Sequence, residues 1–161
     1  MKGAYLILKD KVFYSIHEKK RFVLGNAVNV GKKLKDVGFG LLHVVDEDLN
    51  KGFMKNFDVY DKLTYFIHVQ VEMPSQRFVE KLKEINVRTV ALPWLYTPKE
   101  DFSAVFVKKG FEEWIEKFRD IVVDNEEVAK RIEGNKRIFT INFKFEGAFC
   151  EINYIKPSFI L

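Results

Sequence analysis

Cysteine is almost missing from this chain of 161 residues. The single one, Cys150, excludes an intrachain disulfide and leaves no cysteine cluster for zinc or an iron–sulfur group. It is expected to be a small buried apolar residue. Proline (4) and glycine (9) are too scarce for a disordered or fibrous chain, and there is no low-complexity run. Long hydrophobic runs are lacking as well. None approaches the length that spans a bilayer, and the first, Ala4 to Leu8, is too short for a signal peptide, so a soluble cytoplasmic protein without membrane contact is expected. Nor does one sign of charge dominate: 27 Lys and Arg against 23 Asp and Glu leave a net charge of +4. Lysines alternate with glutamates in Glu80-Lys-Leu-Lys-Glu84 and Glu112-Glu-Trp-Ile-Glu-Lys117, the pattern of solvated helix faces. The basic tracts Glu18-Lys-Lys-Arg21 and Gly31-Lys-Lys-Leu-Lys35 have no interleaved aromatics, which argues against nucleic-acid binding.

What is present is 47% apolar and 31% charged residues, the balance of a globular chain able to bury one core. Strand and helix patterns alternate along it. Ala4 to Leu8 reads as a buried strand, and Lys11 to Ile16 as a strand able to form a hairpin with Phe22 to Leu24. Asn26 can cap a helix with Ala27, Val30 and Leu34 on one face, closed by Gly38. Leu41 to Val45 is a second core strand, Asp58 to Leu63 a brief helix and Phe66 to Val71 a third strand. Ser75 then caps a helix striped by Phe78, Val79, Leu82 and Ile85, and Val87 to Leu92 is a fourth strand. Repeated βα units imply a parallel sheet with right-handed crossovers.

Beyond this point the pattern changes. Pro93-Trp-Leu-Tyr-Thr-Pro98 is a loop with aromatics that could line a pocket or cover a core edge. Thr97-Pro-Lys-Glu100 reads as a capping box for a long helix with Phe111, Trp114, Ile115, Phe118 and Val122 on one face. Asp124-Asn-Glu-Glu127 starts another helix, through Ile132, that Gly134 ends. Ile138 to Phe145 and Phe149 to Ile155 alternate about Glu146-Gly147 as a hairpin.

Several of these stretches occur in an order that resembles a known family. From Asn26 to Leu92 the chain carries Leu42-His-Val-Val-Asp-Glu-Asp48, Gly52, Asn56 and Val69-Gln-Val71. A second stretch runs from Asp124-Asn-Glu-Glu-Val128 through Arg137-Ile138 to Glu146-Gly147. Together they resemble the isomerase of histidine biosynthesis that opens an aminoimidazole carboxamide ribotide, a phosphate-binding (βα)8 barrel enzyme. The second stretch is similar to that family's fourth helix and fifth strand. At 161 residues the chain is far short of the roughly 250 of a typical full barrel. The resemblance therefore implies a single α/β domain, a truncated half TIM barrel: βα units over 1–94, an inserted helical segment over 95–123, and a helix with a C-terminal β-hairpin over 124–161. An open sheet of that kind exposes two edges, so a homodimer is expected to cover them.

The resemblance also implies what has been lost. Its two acid–base aspartates fall on Ile7 and Phe143, which cannot carry a proton. The glycines that grip phosphate become Glu72-Met73-Pro74 and Leu92-Pro93, poor in backbone donors. A non-catalytic ligand-binding or assembly module without a cofactor is expected. The alternative is an enzyme of the ribotide-isomerase class, or a repurposed metal-assisted activity at the strand ends. Asp46, Asp48 and Glu72 are the candidate acidic ligands, of a metal or of a hydroxyl. Lys9 and Lys51 would meet a small phosphorylated ligand. The aspartates have a competing structural role as loop caps, and His43 and His68, internal to strands, read as core histidines.

Overall fold

The computed structural model describes residues 1–159. Eight parallel strands close into a barrel: β1 (Lys2–Lys9), β4 (Leu41–Asp46), β5 (His68–Glu72), β6 (Arg88–Ala91), β7 (Ala104–Phe106), β8 (Asp120–Val123), β9 (Arg137–Ile141) and β10 (Cys150–Tyr154). The ring shuts where β10 pairs with the first half of β1, Gly3 opposite Ile152 and Tyr5 opposite Tyr154. The second half of β1 pairs instead with β2 (Val12–His17), which forms an antiparallel hairpin with β3 (Lys20–Asn26). Ser15 of β2 ties this hairpin to the end of β10. Its Oγ donates to the Ile155 carbonyl at 2.8 Å and accepts from the Ile155 N–H at 3.0 Å.

Side chains alternate along each strand between the inside of the ring and its outer face. The inside is packed by Leu41, Val90, Phe106, Val122, Phe139 and Ile152 among others, with Cys150 fully buried as expected and its thiol pushed up to about 11 by burial. The outer face meets a thin layer of helices: α1 (Ala27–Asp36), α2 (Glu47–Asn50), α3 (Phe57–Leu63), α4 (Val79–Lys83) and α5 (Glu126–Ala129). Helix α1 forms as read. The Asn26 side chain accepts from the Asn29 N–H, Ala27, Val30 and Leu34 are buried, and Gly38 sits at φ +101° beyond the end.

The half barrel, the inserted helix and the C-terminal hairpin are corrected. The segment 95–123 holds β7 and β8 joined by a 3₁₀ turn, Glu112–Lys117. Gly110, at φ +97°, interrupts the helical spacing, and the β-branched Ile121-Val122-Val123 run is a strand buried on both faces. Thr97-Pro-Lys-Glu100 caps no helix because the Gln76 Oε1 accepts from the N–H groups of Lys99 and Glu100, at 2.6 and 3.0 Å. β9 and β10 alternate as hairpin strands do, yet they lie parallel, Cys150 opposite Phe139. Counted round the ring, β9 is the seventh strand, so the stretch likened to a fifth strand lies two strands further on. Closure also removes the two open edges from which a homodimer was expected. The edge that remains is β3, which begins with the exposed Lys20 and Arg21.

The closing seam depends on a missing side chain. A Cβ on Gly3 would stand 3.0 Å from Ile152 Cγ1 and 3.1 Å from Cys150 Sγ. Gly3→Val is expected to cost about 1–3 kcal/mol by overpacking, read as a lower midpoint in urea unfolding.

Candidate functional site

Asp46 and Asp48, the acids singled out from the sequence, are buried in a clasp outside the ring. Asp46 Oδ1 accepts from the Leu49 N–H at 3.0 Å and from Asn56 Nδ2 at 3.1 Å, and its Oδ2 accepts from the Tyr60 hydroxyl at 2.7 Å. Asp48 Oδ2 accepts from the Asp10 N–H at 2.9 Å and from Asn56 Nδ2 at 3.0 Å, while Asn56 Oδ1 takes the Lys11 N–H at 2.9 Å. Asp10 and Lys11 form the two-residue β1–β2 turn at φ +46° and +65°, a conformation that suits glycine or asparagine and strains lysine. The clasp holds that turn. Burial raises the Asp46 pKa. Burial also opposes ionisation of Asp48, but the bonds from Asp10 and Asn56 outweigh it and the Asp48 pKa falls. Three of the four carboxylate oxygens accept donors within the clasp, which gives the pair a structural task.

Glu72 points the other way. It lies on the inward parity of β5, away from Asp46, which faces Tyr60 in the outer layer. The three acids are therefore not one site, and among the described residues no group of three His, Cys, Asp or Glu side chains could hold a metal ion. Lys9 is half-buried at the end of β1 and Lys51 is exposed after α2; neither lines the cavity described next. Ile7 is half-buried, and its register places it one step beyond Tyr5 on the inward side. Phe143 packs on Phe145 against the outer core.

A cavity of about 350 Å³ opens at the carboxyl ends of the strands, the end at which parallel barrels place their sites. Tyr5, Glu72, Trp94, Lys108, Asp124 and Tyr154 line it, with Asn142 at φ +61° on its rim. Tyr5 stacks on His43 at 5.4 Å between ring centroids and meets Tyr154 edge-on at 5.0 Å. Burial, and then the negative charge of Glu72, push the Tyr5 hydroxyl well above its ordinary pKa, so it enters the cavity as a neutral donor. The Lys108 ammonium lies 4.5 Å from the Trp94 ring centre and 5.5 Å from that of Phe106. Tyr96, the other loop aromatic, is a staple: its hydroxyl donates to the Met73 carbonyl at 2.8 Å and accepts from the Leu92 N–H at 3.1 Å. That bond fixes the loop from which Trp94 projects.

Glu72 is oriented from below by a thread of polar side chains through the ring. Arg88 Nε faces Gln70 Oε1 at 3.4 Å, and Gln70 Nε2 meets His43 Nδ1 at 2.7 Å. Arginine can only donate, so the Gln70 oxygen turns toward it and its NH2 donates to His43 Nδ1. The proton of His43 is thereby placed on Nε2, which donates to Glu72 Oε2 at 2.7 Å. Arg88 is anchored in turn on Asp120, which accepts Arg88 Nη2 at 2.8 Å and the Arg137 fork at 2.7 and 2.6 Å. His43 was expected in the core and lies there fully buried, with partners on both nitrogens, whereas His68, read the same way, is exposed because it opens β5 at the amino-end mouth. Tyr5, Lys108, Asp124, Asn142 and the Arg88–Asp120–Arg137 triad were not found from the sequence. Lys108 and Asp124 follow strands that had been read as helix, which hid their position at strand ends.

No family model matches this chain, and no curated protein does. No helix of the described residues is long and apolar enough to cross a membrane.

Asn56→Ala is expected to cost about 2–4 kcal/mol, because it strips donors from two buried carboxylates and an acceptor from the strained turn; urea unfolding reads it. Burial opposes ionisation of Asp120, but the Arg137 and Arg88 hydrogen bonds outweigh it and hold its pKa below the ordinary carboxylate value. A folded pKa below the unfolded one stabilises at pH above the unfolded value and ceases to as pH falls through the folded one. Asp120→Asn should therefore lose about 3–5 kcal/mol at neutral pH, and its stability should fall less steeply than the wild type's below about pH 4.

Proposed function

We propose that this protein is a small-molecule-binding barrel whose carboxyl-end mouth takes a ligand presenting a cationic or hydrogen-bond-donating group to Glu72. The thread from Arg88 through Gln70 and His43 carries this reading. Midway along an interior otherwise packed by apolar side chains, Gln70 and His43 are fully buried between the Arg88–Asp120–Arg137 cluster and a rim carboxylate, which they hold in one orientation. Glu72 and Asp124 face the cavity against the one ammonium of Lys108, and Trp94 and Tyr154 supply flat walls. That acidic balance favours an amine- or hydroxyl-bearing molecule over the phosphorylated ligand that the isomerase resemblance implies. The ring of parallel strands supports descent from such a barrel enzyme, and Ile7, at the position matched to the first acid, supports loss of its rearrangement. A proton-transfer enzyme is the second reading. It is favoured by one observation, that the carboxylate fixed by His43 shares the cavity with the neutral Tyr5 hydroxyl, a base beside an acid.

Benzamidine, a flat cation, is a suitable probe. In a Trp114→Phe background Trp94 is the sole tryptophan, and its fluorescence should change saturably with benzamidine. Glu72→Gln should weaken that binding about tenfold or more, since a charged hydrogen bond is lost. Absence of saturation, or equal affinity in the glutamine variant, refutes the reading.

A further inference from the structure

The opposite mouth of the ring has the opposite charge. A cavity of about 140 Å³ opens at the amino ends of the strands, with Arg88, Arg137 and His68 as its polar lining and Leu41, Phe139 and Phe149 as apolar walls. At roughly 30 Å³ per water, that is room for a few waters or for one small ligand head. The two arginines share a single acid: two guanidinium groups against the Asp120 carboxylate leave one positive charge in surplus. Both guanidinium groups remain partly open to water, so the surplus charge is presented at the mouth of the cavity.

The donors are also fixed in place and partly unused. Arg88 spends Nε on Gln70 and Nη2 on Asp120, while Arg137 spends Nε and Nη2 on the two Asp120 oxygens. Neither Nη1 has a hydrogen-bond partner among the described residues, and neither is a buried unsatisfied atom, so both are open to a solute. Asp120 itself is buried, which removes conformational freedom from both guanidinium groups. Aromatic faces restrain them further. The Arg137 guanidinium carbon lies 4.4 Å from the Phe149 ring centre and that of Arg88 lies 5.4 Å from Phe139. A planar, immobilised pair of guanidinium groups with vacant N–H donors matches a carboxylate, and the apolar surface that Leu41 and the touching Phe139 and Phe149 rings present beside it suits a small apolar body attached to it.

We propose that the amino-end mouth of the barrel is a binding site for a small aromatic carboxylate, held by Arg88 and Arg137 against the apolar lining of Leu41, Phe139 and Phe149. It is separate from the carboxyl-end cavity, with which it shares no lining residue, although Arg88 also begins the thread that reaches Glu72.

The test is a titration of the ¹⁵N-labelled protein with benzoate at constant ionic strength, following the side-chain Nε–H signals of Arg88 and Arg137 and the indole N–H of Trp94. Saturable shifts of both arginine signals with Trp94 unmoved are expected, and benzyl alcohol, of similar shape but without the carboxylate, should not move the arginine signals. Substituting an arginine risks the fold through Asp120, so the diagnostic variant is His68→Glu, at an exposed residue on the cavity lining. It should weaken benzoate binding about tenfold with the fold intact. Shifts that grow without saturating, that centre on Trp94, that benzyl alcohol reproduces, or that His68→Glu leaves unchanged would overturn the proposal.

Discussion

The parallel pairing of β10 with the first half of β1 is the constraint on which the rest of the molecule depends. An open parallel sheet leaves two rows of unpaired N–H and C=O groups and an apolar face in water. Joining the first and last barrel strands satisfies both rows at once and turns one face of every strand into an interior. Because β10 covers only the first part of β1, the hairpin of β2 and β3 completes the wall above it, and Ser15 fastens the two at Ile155. The Asp46, Asp48 and Asn56 clasp then holds the strained turn that lets the hairpin fold back.

A closed ring in so short a chain leaves little length for helices. The first half of the barrel retains them, with α1 and α3 packed over the outer faces of the strands. The second half largely does without: a 3₁₀ turn and a four-residue helix stand between its strands, and Trp114, Phe118, Phe143 and Phe145 rest against the outer core instead. An aromatic ring removes a large apolar area from water at the cost of two rotatable bonds, so it can cover a strand where no helix fits.

Inside the ring, polarity runs in one direction. Two arginines converge on Asp120 near the amino ends, and the chain of donors then passes through Gln70 and His43 to the Glu72 carboxylate at the carboxyl ends. Each bond in such a chain polarises the next. The result is a barrel whose two mouths differ in sign, the surplus being positive at one and negative at the other.

Much of the first half was legible in the sequence, because its signals are local. Asn26 and Gly38 bracket α1, the spacing of Ala27, Val30 and Leu34 gives its buried face, and continuous apolar runs mark β1 and β4. The second half misled for an equally physical reason. A strand of three or four residues buried on both faces shows no period of two, and apolar residues flanking it can fall at helical spacing by chance, as Phe118 and Val122 do. Alternation in β9 and β10 marked strands but not their direction, since parallel and antiparallel neighbours alternate alike. By itself the sequence determined the α/β class, the early elements, and that His43 and Cys150 would be buried. Ring closure, the separation of Glu72 from Asp46, and the meeting of Arg88, Asp120 and Arg137 were decided by tertiary structure alone. These join residues on strands far apart in the chain, and register between such strands is set by packing and not by any local spacing.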